Sequence, residues 1–421
     1  MSIHKDLEEF ARRIGADVEH FVREGKQELA QHVTEHPQPL FALLRTFKPV
    51  LLIHGIAIVT RYGDVVEVLS NDEAFSVEPY AGKMQSLAGE FILGLDDCAQ
   101  YERDISILRL AAPRADISAL SGFVSETADA LVAQAADHEE PIEVPELAKR
   151  VPARLAGRWL GTPGPNEDSL IAWTLSMFED IFVNVKNDPQ IHDAAARSAT
   201  ELRPYLDSVI AGRKLNGGGE DVLGRLLAMQ ANPATALSDA EIATNLIGLL
   251  VGFVPTVATA TTLAIDELLD RPDALATAQD AARADDDATL RAHLWEAMRL
   301  APQGPGLLRR AQRDFVVAEG THHATLIPAG TPTFAATQSA MLDGAVVEDP
   351  HDFRVGRPAH HYLHFGAGLH ECFGRFANAM QIPLIAKALL RRENLARAPG
   401  DAGRLVKNGP YPATLAVTFD R

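Results

Sequence analysis

The chain of 421 residues has only two cysteines, Cys98 and Cys372, and most of the sequence separates them. Two distant cysteines provide neither a disulfide framework nor a cysteine-rich zinc site, and they are typical of a reducing compartment. The opening residues, M-S-I-H-K-D-L-E-E-F-A-R-R, also lack the apolar core of a signal peptide. We therefore expect a cytoplasmic protein.

Positive charge is scarce as well. The chain has 39 Lys and Arg residues against 57 Asp and Glu residues, a formal net charge of −18. No excess positive field exists to attract a nucleic-acid backbone or an anionic membrane surface, so we expect neither as a partner. One uncharged stretch, residues 246–265, is long enough to cross a membrane. Its proline, its threonines and the acidic residues on both sides favour a buried helix of a soluble protein.

Linkers and low-complexity segments are absent from the sequence. The longest loop-like insert, L-N-G-G-G-E-D at residues 215–221, is short and predicts a flexible connection between two helices. We therefore predict a single domain over residues 1–421. No G-x-G-x-x-G dinucleotide fingerprint occurs, so the sequence shows no sign of a reductase module of its own.

Hydrophobic periodicity predicts a mainly α fold with small β-sheets. Helical spacing is present at residues 5–35, 121–136, 166–182, 192–215, 221–230, 238–269, 287–300 and 375–392. Short alternating stretches predict strands at residues 50–60, 307–317, 326–336 and 415–419, with a turn at I-P-A-G, residues 327–330. Ser238 and Glu241 are placed as a capping box that opens the longest apolar helix.

The run F-G-A-G-L-H-E-C-F-G, residues 365–374, surrounds Cys372 with glycines. A lone cysteine is by default a small buried apolar side chain. Here the glycines allow the backbone to pass close to a flat ligand and to direct amides at a sulfur. A helix is predicted directly after the cysteine, and its N-terminal dipole is expected to lower the pKa of the thiol. This context favours a metal-ligating thiolate at Cys372.

The same run resembles the haem-binding signature of cytochrome P450, F-G-x-G-x-H-x-C-x-G, at every fixed position. The resemblance implies the cytochrome P450 fold, haem b (iron protoporphyrin IX) as cofactor, and Cys372 as the thiolate ligand of its iron. It also implies that Phe365 and Gly366 belong to the cofactor-binding loop. His370 matches the signature histidine that contacts a haem propionate.

Two further positions resemble propionate-binding residues of the family. Arg309, in L-L-R-R-A-Q-R-D-F, matches an arginine that pairs with a propionate, and Arg310 is an alternative for that role. Tyr101 takes the place of a histidine that in the family usually follows D-P-P-E. A tyrosine hydroxyl can donate to a propionate but carries no charge, so Arg103 or Arg109 are alternatives for supplying the charge.

Glu296 and Arg299 match the E-x-x-R motif of the family, and Arg357, in D-P-H-D-F-R-V-G-R-P, resembles the second arginine that joins them. Residues three apart on a helix are neighbours, so the pair can form and recruit the further arginine. The motif alone is a common solvated helix pair. Together with the other motifs of the family, it predicts a buried structural clamp behind the haem.

The long apolar helix departs from the family pattern A-G-x-D/E-T-T, in which an acid and a threonine relay protons. Here the sequence is G-F-V-P-T-V, residues 252–257, and Thr256 keeps the alcohol while Pro255 replaces the acid. Proline is expected to widen or kink the helix and to leave a free carbonyl near residue 251. Val254 stands where the fatty-acid peroxygenase branch has an arginine for the substrate carboxylate. Thr256, Pro255 and Val254 are the candidate catalytic positions.

These features lead us to expect a monooxygenase that hydroxylates a hydrophobic small molecule, using O2 and electrons from a separate ferredoxin or flavoprotein. Phe253, Val254 and the apolar segments at residues 75–95, 178–185 and 302–308 are expected to border that substrate. A peroxide-dependent peroxygenase or hydroperoxide-rearranging enzyme is a second hypothesis, because neither needs the acid. A non-catalytic haem- or lipid-binding protein is a third, distinguished by a lack of turnover with every oxidant.

Overall fold

The structure, a computed structural model, describes residues 37–137 and 141–420. The helix expected at residues 5–35 lies outside the described residues. Helices dominate the rest and the sheets are small, so the predicted fold class is confirmed.

The α-helices follow one another along the chain with mostly short connections. They are α1 Pro37–Phe47, α2 Tyr62–Ser70, α3 Glu78–Leu87, α4 Ala99–Ala111, α5 Ala115–Asp137, α6 Val144–Leu155, α7 Glu167–Phe178, α8 Pro189–Asn216, α9 Val222–Met229, α10 Asp239–Leu269, α11 Pro272–Arg283, α12 Asp287–Leu300, α13 Thr337–Ala340 and α14 Arg375–Leu390. Helices α6 and α7 each continue into a π-helical turn, Ala156–Leu160 and Glu179–Val183. Seven of these helices, namely α1, α2, α3, α4, α6, α11 and α13, were not predicted by periodicity.

The strands form four small sheets. They are β1 Val50–Ile53, β2 Ile56–Val59, β3 Phe75–Ser76, β4 Ile142–Glu143, β5 Leu307–Ala311, β6 Phe315–Val317, β7 Thr325–Ile327, β8 Pro332–Ala335, β9 Ala396–Arg397, β10 Val406–Asn408, β11 Tyr411–Thr414 and β12 Ala416–Thr418. The largest sheet has the order β1-β2-β8-β5-β3, and the others are β4-β12-β9, β6-β7 and β10-β11. The predicted strand regions are confirmed, and each of the first three divides into two strands at a turn.

Helix α10 is the centre of the helical layer and packs against α6, α7, α12 and α14. The predicted capping box is present: Ser238 Oγ accepts from the Glu241 N–H, and the Glu241 side chain accepts from the Ser238 N–H. In its most apolar stretch of 18 residues, 83% of the residues are buried inside the protein. By length and composition this helix could cross a membrane, but its apolar surface is covered by the other helices.

Helix α10 runs through Pro255 without a break. The kink expected from this proline does not end the helix or divide it into two. The missing N–H of Pro255 still deprives the Val251 carbonyl of its usual helical partner. The proline therefore removes one helical hydrogen bond within a helix that stays continuous.

Candidate functional site

The loop that carries Cys372 is a tight turn placed at the start of α14. Gly366 and Gly368 have φ angles of 72° and 76°, a region that side-chain-bearing residues rarely adopt. A Cβ at Gly368 would lie 2.3 Å from the Leu69 carbonyl oxygen, so only glycine fits there. The Cys372 N–H donates to the Phe365 carbonyl at 2.9 Å, which closes the loop. The sequence thus fixes the thiol at one position relative to α2 and α14.

Burial dominates the acid–base behaviour of this thiol. Burial raises the pKa of Cys372 to about 11, although the N–H of Gly374 acts in the opposite direction. The predicted lowering of the thiol pKa by the helix is therefore wrong, because desolvation of the charged form outweighs the nearby dipoles. A coordinating metal ion reverses this balance, since it deprotonates a thiol directly. The site fits a thiolate that exists as a metal ligand.

Arg309 and His370 form a buried anion-binding group beside this loop. Arg309 is 3% exposed, its Nη1 donates to the Leu308 carbonyl at 2.9 Å, and its Nε has no hydrogen-bond partner among the described residues. Burial lowers the pKa of Arg309, and burial together with the Arg309 charge lowers the pKa of His370 to about 4. A buried cation with an unpaired donor is costly unless an anion accepts from it. A carboxylate such as a haem propionate fits this requirement.

Arg310, the alternative to Arg309, and Arg103, an alternative to Tyr101, are both engaged elsewhere. Arg310 forms an ion pair with Glu78 and donates to the Gly330 carbonyl at 2.8 Å. Arg103 donates to two carboxylates, each at 2.7 Å, namely those of Asp104 and Glu241. Of the neighbouring residues Arg309 and Arg310, Arg309 is therefore the one whose guanidinium remains available to bind an anion inside the protein.

Tyr101, on α4, contacts the cysteine loop directly. Its hydroxyl donates to the Leu369 carbonyl at 2.8 Å, and its ring centroid lies 5.3 Å from that of His370 in an edge-on arrangement. The hydroxyl hydrogen is therefore committed to the loop backbone. In this geometry Tyr101 positions the loop, and a bond from Tyr101 to a propionate stays a prediction.

Glu296, Arg299 and Arg357 meet in one buried cluster. The Glu296 carboxylate accepts from Arg299 Nη2 at 2.7 Å and from Arg357 Nε at 2.9 Å. The Glu296 and Arg299 side chains have no exposed surface, and that of Arg357 is 4% exposed. Burial opposes ionisation of Glu296, but the hydrogen bonds from the two arginines and from the Arg354 N–H keep its pKa below the usual value. The carboxylate is thus fully compensated inside the protein.

The two arginines also bind the backbone of the chain between α13 and the cysteine loop. Arg299 donates to the Met341 and Pro350 carbonyls at 2.9 and 2.7 Å, and Arg357 donates to the Asp349 carbonyl at 2.9 Å. Sequence reasoning missed Tyr362, whose hydroxyl donates to Glu296 at 3.3 Å and whose pKa rises to about 12 through burial and the Glu296 charge. No motif marks this tyrosine. The cluster fixes the segment that leads into residues 365–374.

Helix α10 presents one partly open face in an otherwise buried environment. Leu249, Gly252 and Thr256 are partly exposed, whereas Phe253 and Val254 are buried, at 6% and 0% exposure. The Phe253 ring lies 6.0 Å from the Trp159 ring. Both side chains pack against neighbouring residues, and that they line a distal pocket stays a prediction. The Thr256 hydroxyl lies on the open face and donates to the Gly252 carbonyl at 2.6 Å.

These elements bring together a cysteine at a helix start, a buried arginine with an unpaired donor and a partly open helix face that carries an alcohol, an arrangement that fits a haem-thiolate site. The family model for cytochrome P450 matches residues 169–415, which is more than half of the chain. The chain belongs to the cytochrome P450 family, whose fold binds haem b.

The curated relatives are 22–29% identical to this chain over the aligned residues. Nocardicin C N-oxygenase of Nocardia uniformis subsp. tsuyamanensis is 27% identical over 84% of this chain and 87% of the relative. Mycinamicin IV hydroxylase/epoxidase of Micromonospora griseorubida is 25% identical over 80% and 81% of the two chains. Other matches are partial: that to the bifunctional dioxygenase–epoxy alcohol synthase of Pyricularia oryzae spans 21% of that protein, and that to putative cytochrome P450 137 of Mycobacterium tuberculosis spans 47%.

Solved structures show the same fold. CalO2 superimposes with a TM-score of 0.79 over 94% of this chain and 98% of its own, at 20% identity. CYP109E1 from Bacillus megaterium in complex with testosterone gives a TM-score of 0.77 over 91% and 97%, at 19% identity. At such identity these neighbours define the architecture and not the substrate.

Cys372 is expected to be the only route to a thiolate-ligated haem in this protein. Because the reduced carbon monoxide complex of a thiolate-ligated haem absorbs near ~450 nm, the purified protein should show that band. Cys372→Ala should abolish it, while Cys98→Ala, at the exposed cysteine, should leave it unchanged. A band retained in Cys372→Ala would show that another residue ligates the iron.

The cluster around Glu296 is expected to be a large contributor to stability. Glu296→Gln removes the charge and leaves two buried arginines uncompensated, which costs about 3–5 kcal/mol of unfolding free energy. Thermal or denaturant unfolding of the haem-loaded protein measures this loss. Glu146→Gln is the matched control, since Glu146 pairs with Lys149 at the same i, i+3 spacing but is 48% exposed. Equal small effects in both variants would show that the buried cluster is not a structural clamp.

Proposed function

We propose that the protein is a monooxygenase that inserts oxygen from O2 into a hydrophobic small molecule, in the cytoplasm, with electrons from a separate donor protein. The single observation that carries this proposal is the buried, unpaired Arg309 Nε, which lies near His370 in the loop that holds the partly exposed Cys372 thiol. Haem held through a thiolate supplies the electron density that favours O–O cleavage. The monooxygenases and hydroxylases among the relatives support the same reaction class.

The residues of this chain have separable tasks in that reaction. Cys372 would hold the iron of the haem, and the buried Arg309 guanidinium would offer its free Nε donor to a propionate of the cofactor. Thr256 holds a hydroxyl on the open face of α10, bonded to the Gly252 carbonyl. Pro255, the residue before Thr256, provides neither a carboxylic acid nor a backbone N–H. Proton delivery therefore depends on Thr256 together with water or a substrate group.

The surface near Cys372 supports a separate electron donor with acidic groups. A cavity of about 390 Å³ there is bordered by Cys372, by three arginines, Arg109, Arg114 and Arg375, and by one acid, Glu371, which pairs with Arg375. Arg114 and Arg375 both lie over the Phe376 ring, 3.7 and 4.6 Å from its centroid. In a chain of net charge −18, such a local positive group attracts an acidic partner by steering and complementarity. A small acidic ferredoxin or flavoprotein matches this chemistry.

Replacing arginines near Cys372 is expected to slow electron delivery. Arg109→Glu and Arg114→Glu should each lower the rate of haem reduction by an acidic ferredoxin, and raising the ionic strength should reduce the difference from the unmodified protein. Stopped-flow spectroscopy measures the rate. Arg404→Glu is the matched control, because Arg404 is 78% exposed and lies outside this surface. If all three variants behave alike, the donor docks elsewhere.

Substitutions at Pro255 and Thr256 test whether O2 is the oxidant. Thr256→Ala should lower donor-driven product formation by about tenfold, because a positioned proton donor is lost, whereas Thr256→Ser should keep it. Pro255→Asp should raise the product formed per electron consumed. Pro255→Asn is its control, since it restores the N–H without an acid.

The oxidant is compared directly in the same variants. Product formation is measured with a reductase system and, separately, with hydrogen peroxide alone, over a panel of fatty acids, terpenes and steroids. Donor-driven turnover that exceeds peroxide-driven turnover and responds to Thr256→Ala supports the monooxygenase. Peroxide-driven turnover that is larger and insensitive to both positions would instead establish a peroxygenase.

A further inference from the structure

A polar pocket opens at the surface between the start of α4, the middle of α8 and the first turns of α10. Its volume is about 510 Å³, and it is bordered by four residues of α4, four of α10, Arg203 of α8 and Glu90 from the chain before α4. This volume is within the range of small-molecule sites, about 300–1,000 Å³. The proposed oxygen chemistry assigns no task to this pocket.

The α10 wall of the pocket contains a buried hydrogen-bond acceptor without a partner. Asn245 borders the pocket, is 1% exposed, and its Nδ2 donates to the Glu241 carbonyl at 2.9 Å. A carbonyl oxygen only accepts, so this bond fixes which end of the Asn245 amide is nitrogen and which is oxygen. The remaining Oδ1 has no hydrogen-bond partner among the described residues. Because a buried acceptor is normally satisfied by a donor, the pocket calls for an occupant that donates.

Negative charge predominates around this acceptor. Three carboxylates border the pocket, those of Glu90, Asp104 and Glu241, against the two guanidinium groups of Arg103 and Arg203, which leaves a net charge of −1. Arg103 is already shared between two of the acids, since it donates to Asp104 and to Glu241, each at 2.7 Å. Glu90 has no ion-pair partner in the part of the chain that the structure describes. The walls therefore have capacity for one more positive charge.

Arg203 does not make the pocket an anion site, because its guanidinium is bonded to the protein. Its Nη1 donates to the Ala88 carbonyl at 3.2 Å and to Thr244 Oγ1 at 3.0 Å, and its Nη2 donates to the Ala240 carbonyl at 3.1 Å. A metal ion does not fit either. Over residues 37–137 and 141–420, no group of three or more His, Cys, Asp or Glu side chains could hold one. The class of ligand that remains is an organic cation with N–H donors.

The pocket is a separate place from the face of α10 that carries Thr256. Thr256 follows Asn245 by eleven residues, about 16 Å along the helix axis. Between them the chain before α4 lies in close contact with α10, since a Cβ at Gly248 would be 2.4 Å from atoms of the Phe91 ring. An occupant of the pocket is therefore not the molecule that the haem site oxidises.

We propose that this pocket is a second ligand site, which binds a small organic cation through the N–H donors of a guanidinium or ammonium group. One N–H donates to Asn245 Oδ1, and the positive charge lies beside the carboxylates of Glu90 and Asp104. A guanidinium matches these acceptors best, because its planar fork of donors serves several of them at once. The net charge of −18 over the whole chain favours a cation further. The site is independent of the oxidant and of the molecule that the haem site takes.

Isothermal titration calorimetry of the haem-loaded protein with butylguanidinium tests the site. One probe should bind per chain with a Kd of about 1 mM, and a higher ionic strength should raise the Kd. Butylurea, which has the same shape without the charge, should bind at least about tenfold more weakly. A protonated guanidinium has no free lone pair for iron, so the ferric haem spectrum should not change. Saturating the iron with 4-phenylimidazole should also leave the Kd unchanged.

Two substitutions locate the probe in the pocket. Asn245→Leu removes the buried acceptor at nearly constant volume and should raise the Kd about tenfold. Glu90→Gln removes an exposed charge and should raise the Kd about threefold. Glu102→Gln is the matched control, because Glu102 is an exposed acid of α4 that does not border the pocket. Haem content and Tm show that each variant is folded, and Glu90→Gln, at a surface position, keeps the test decisive where Asn245→Leu does not fold.

Four results overturn the second site. The first is no binding of butylguanidinium up to about 10 mM. The second is butylurea that binds as tightly as the cation. The third is a Kd that stays unchanged in the folded pocket variants, or that changes as much in Glu102→Gln as in Glu90→Gln. The fourth is a shifted haem spectrum or competition with 4-phenylimidazole, which would place the probe at the iron. Each result concerns equilibrium binding alone, so it is distinguishable from failure of the monooxygenase proposal.

Discussion

The neutralisation of one buried carboxylate by two buried arginines is the interaction on which the site depends. Glu296 receives hydrogen bonds from Arg299 and Arg357, and those arginines in turn hold backbone carbonyls of the chain that leads to the cysteine loop. A charge so deeply buried is tolerated only when it is fully paired. The pairing therefore both permits the burial and fixes the course of residues 341–357, on which the position of Cys372 relies.

The functional site can be described as two rigid faces with different chemistry. On one face, glycine geometry and the start of α14 hold a thiol whose burial makes it a poor acid until a metal binds it. On the other, α10 presents Gly252 and Thr256 but no acid, because Pro255 occupies that position. The cysteine loop thus follows the family signature, whereas α10 departs from the family pattern at Pro255.

Much of this arrangement was predictable from sequence where local signals and global packing agree. Helix α10 has a capping box and a long apolar run, and the cysteine loop and the Glu296 cluster carry family motifs. Helix α6 was missed because its sequence, V-P-E-L-A-K-R-V-P-A-R-L, contains Pro145 and Pro152, and packing against α10 overrides that propensity. The raised pKa of Cys372 and the inward burial of Val254 were not predictable, since both depend on burial by distant residues.

The central claim is that the Cys372 sulfur ligates the haem iron in the folded protein, and X-ray absorption at the iron edge tests it most directly. The account predicts one sulfur atom in the iron's coordination sphere of the resting protein, in addition to the porphyrin nitrogens. A spectrum that is fitted by nitrogen and oxygen ligands alone, in a sample with full haem content, would contradict it.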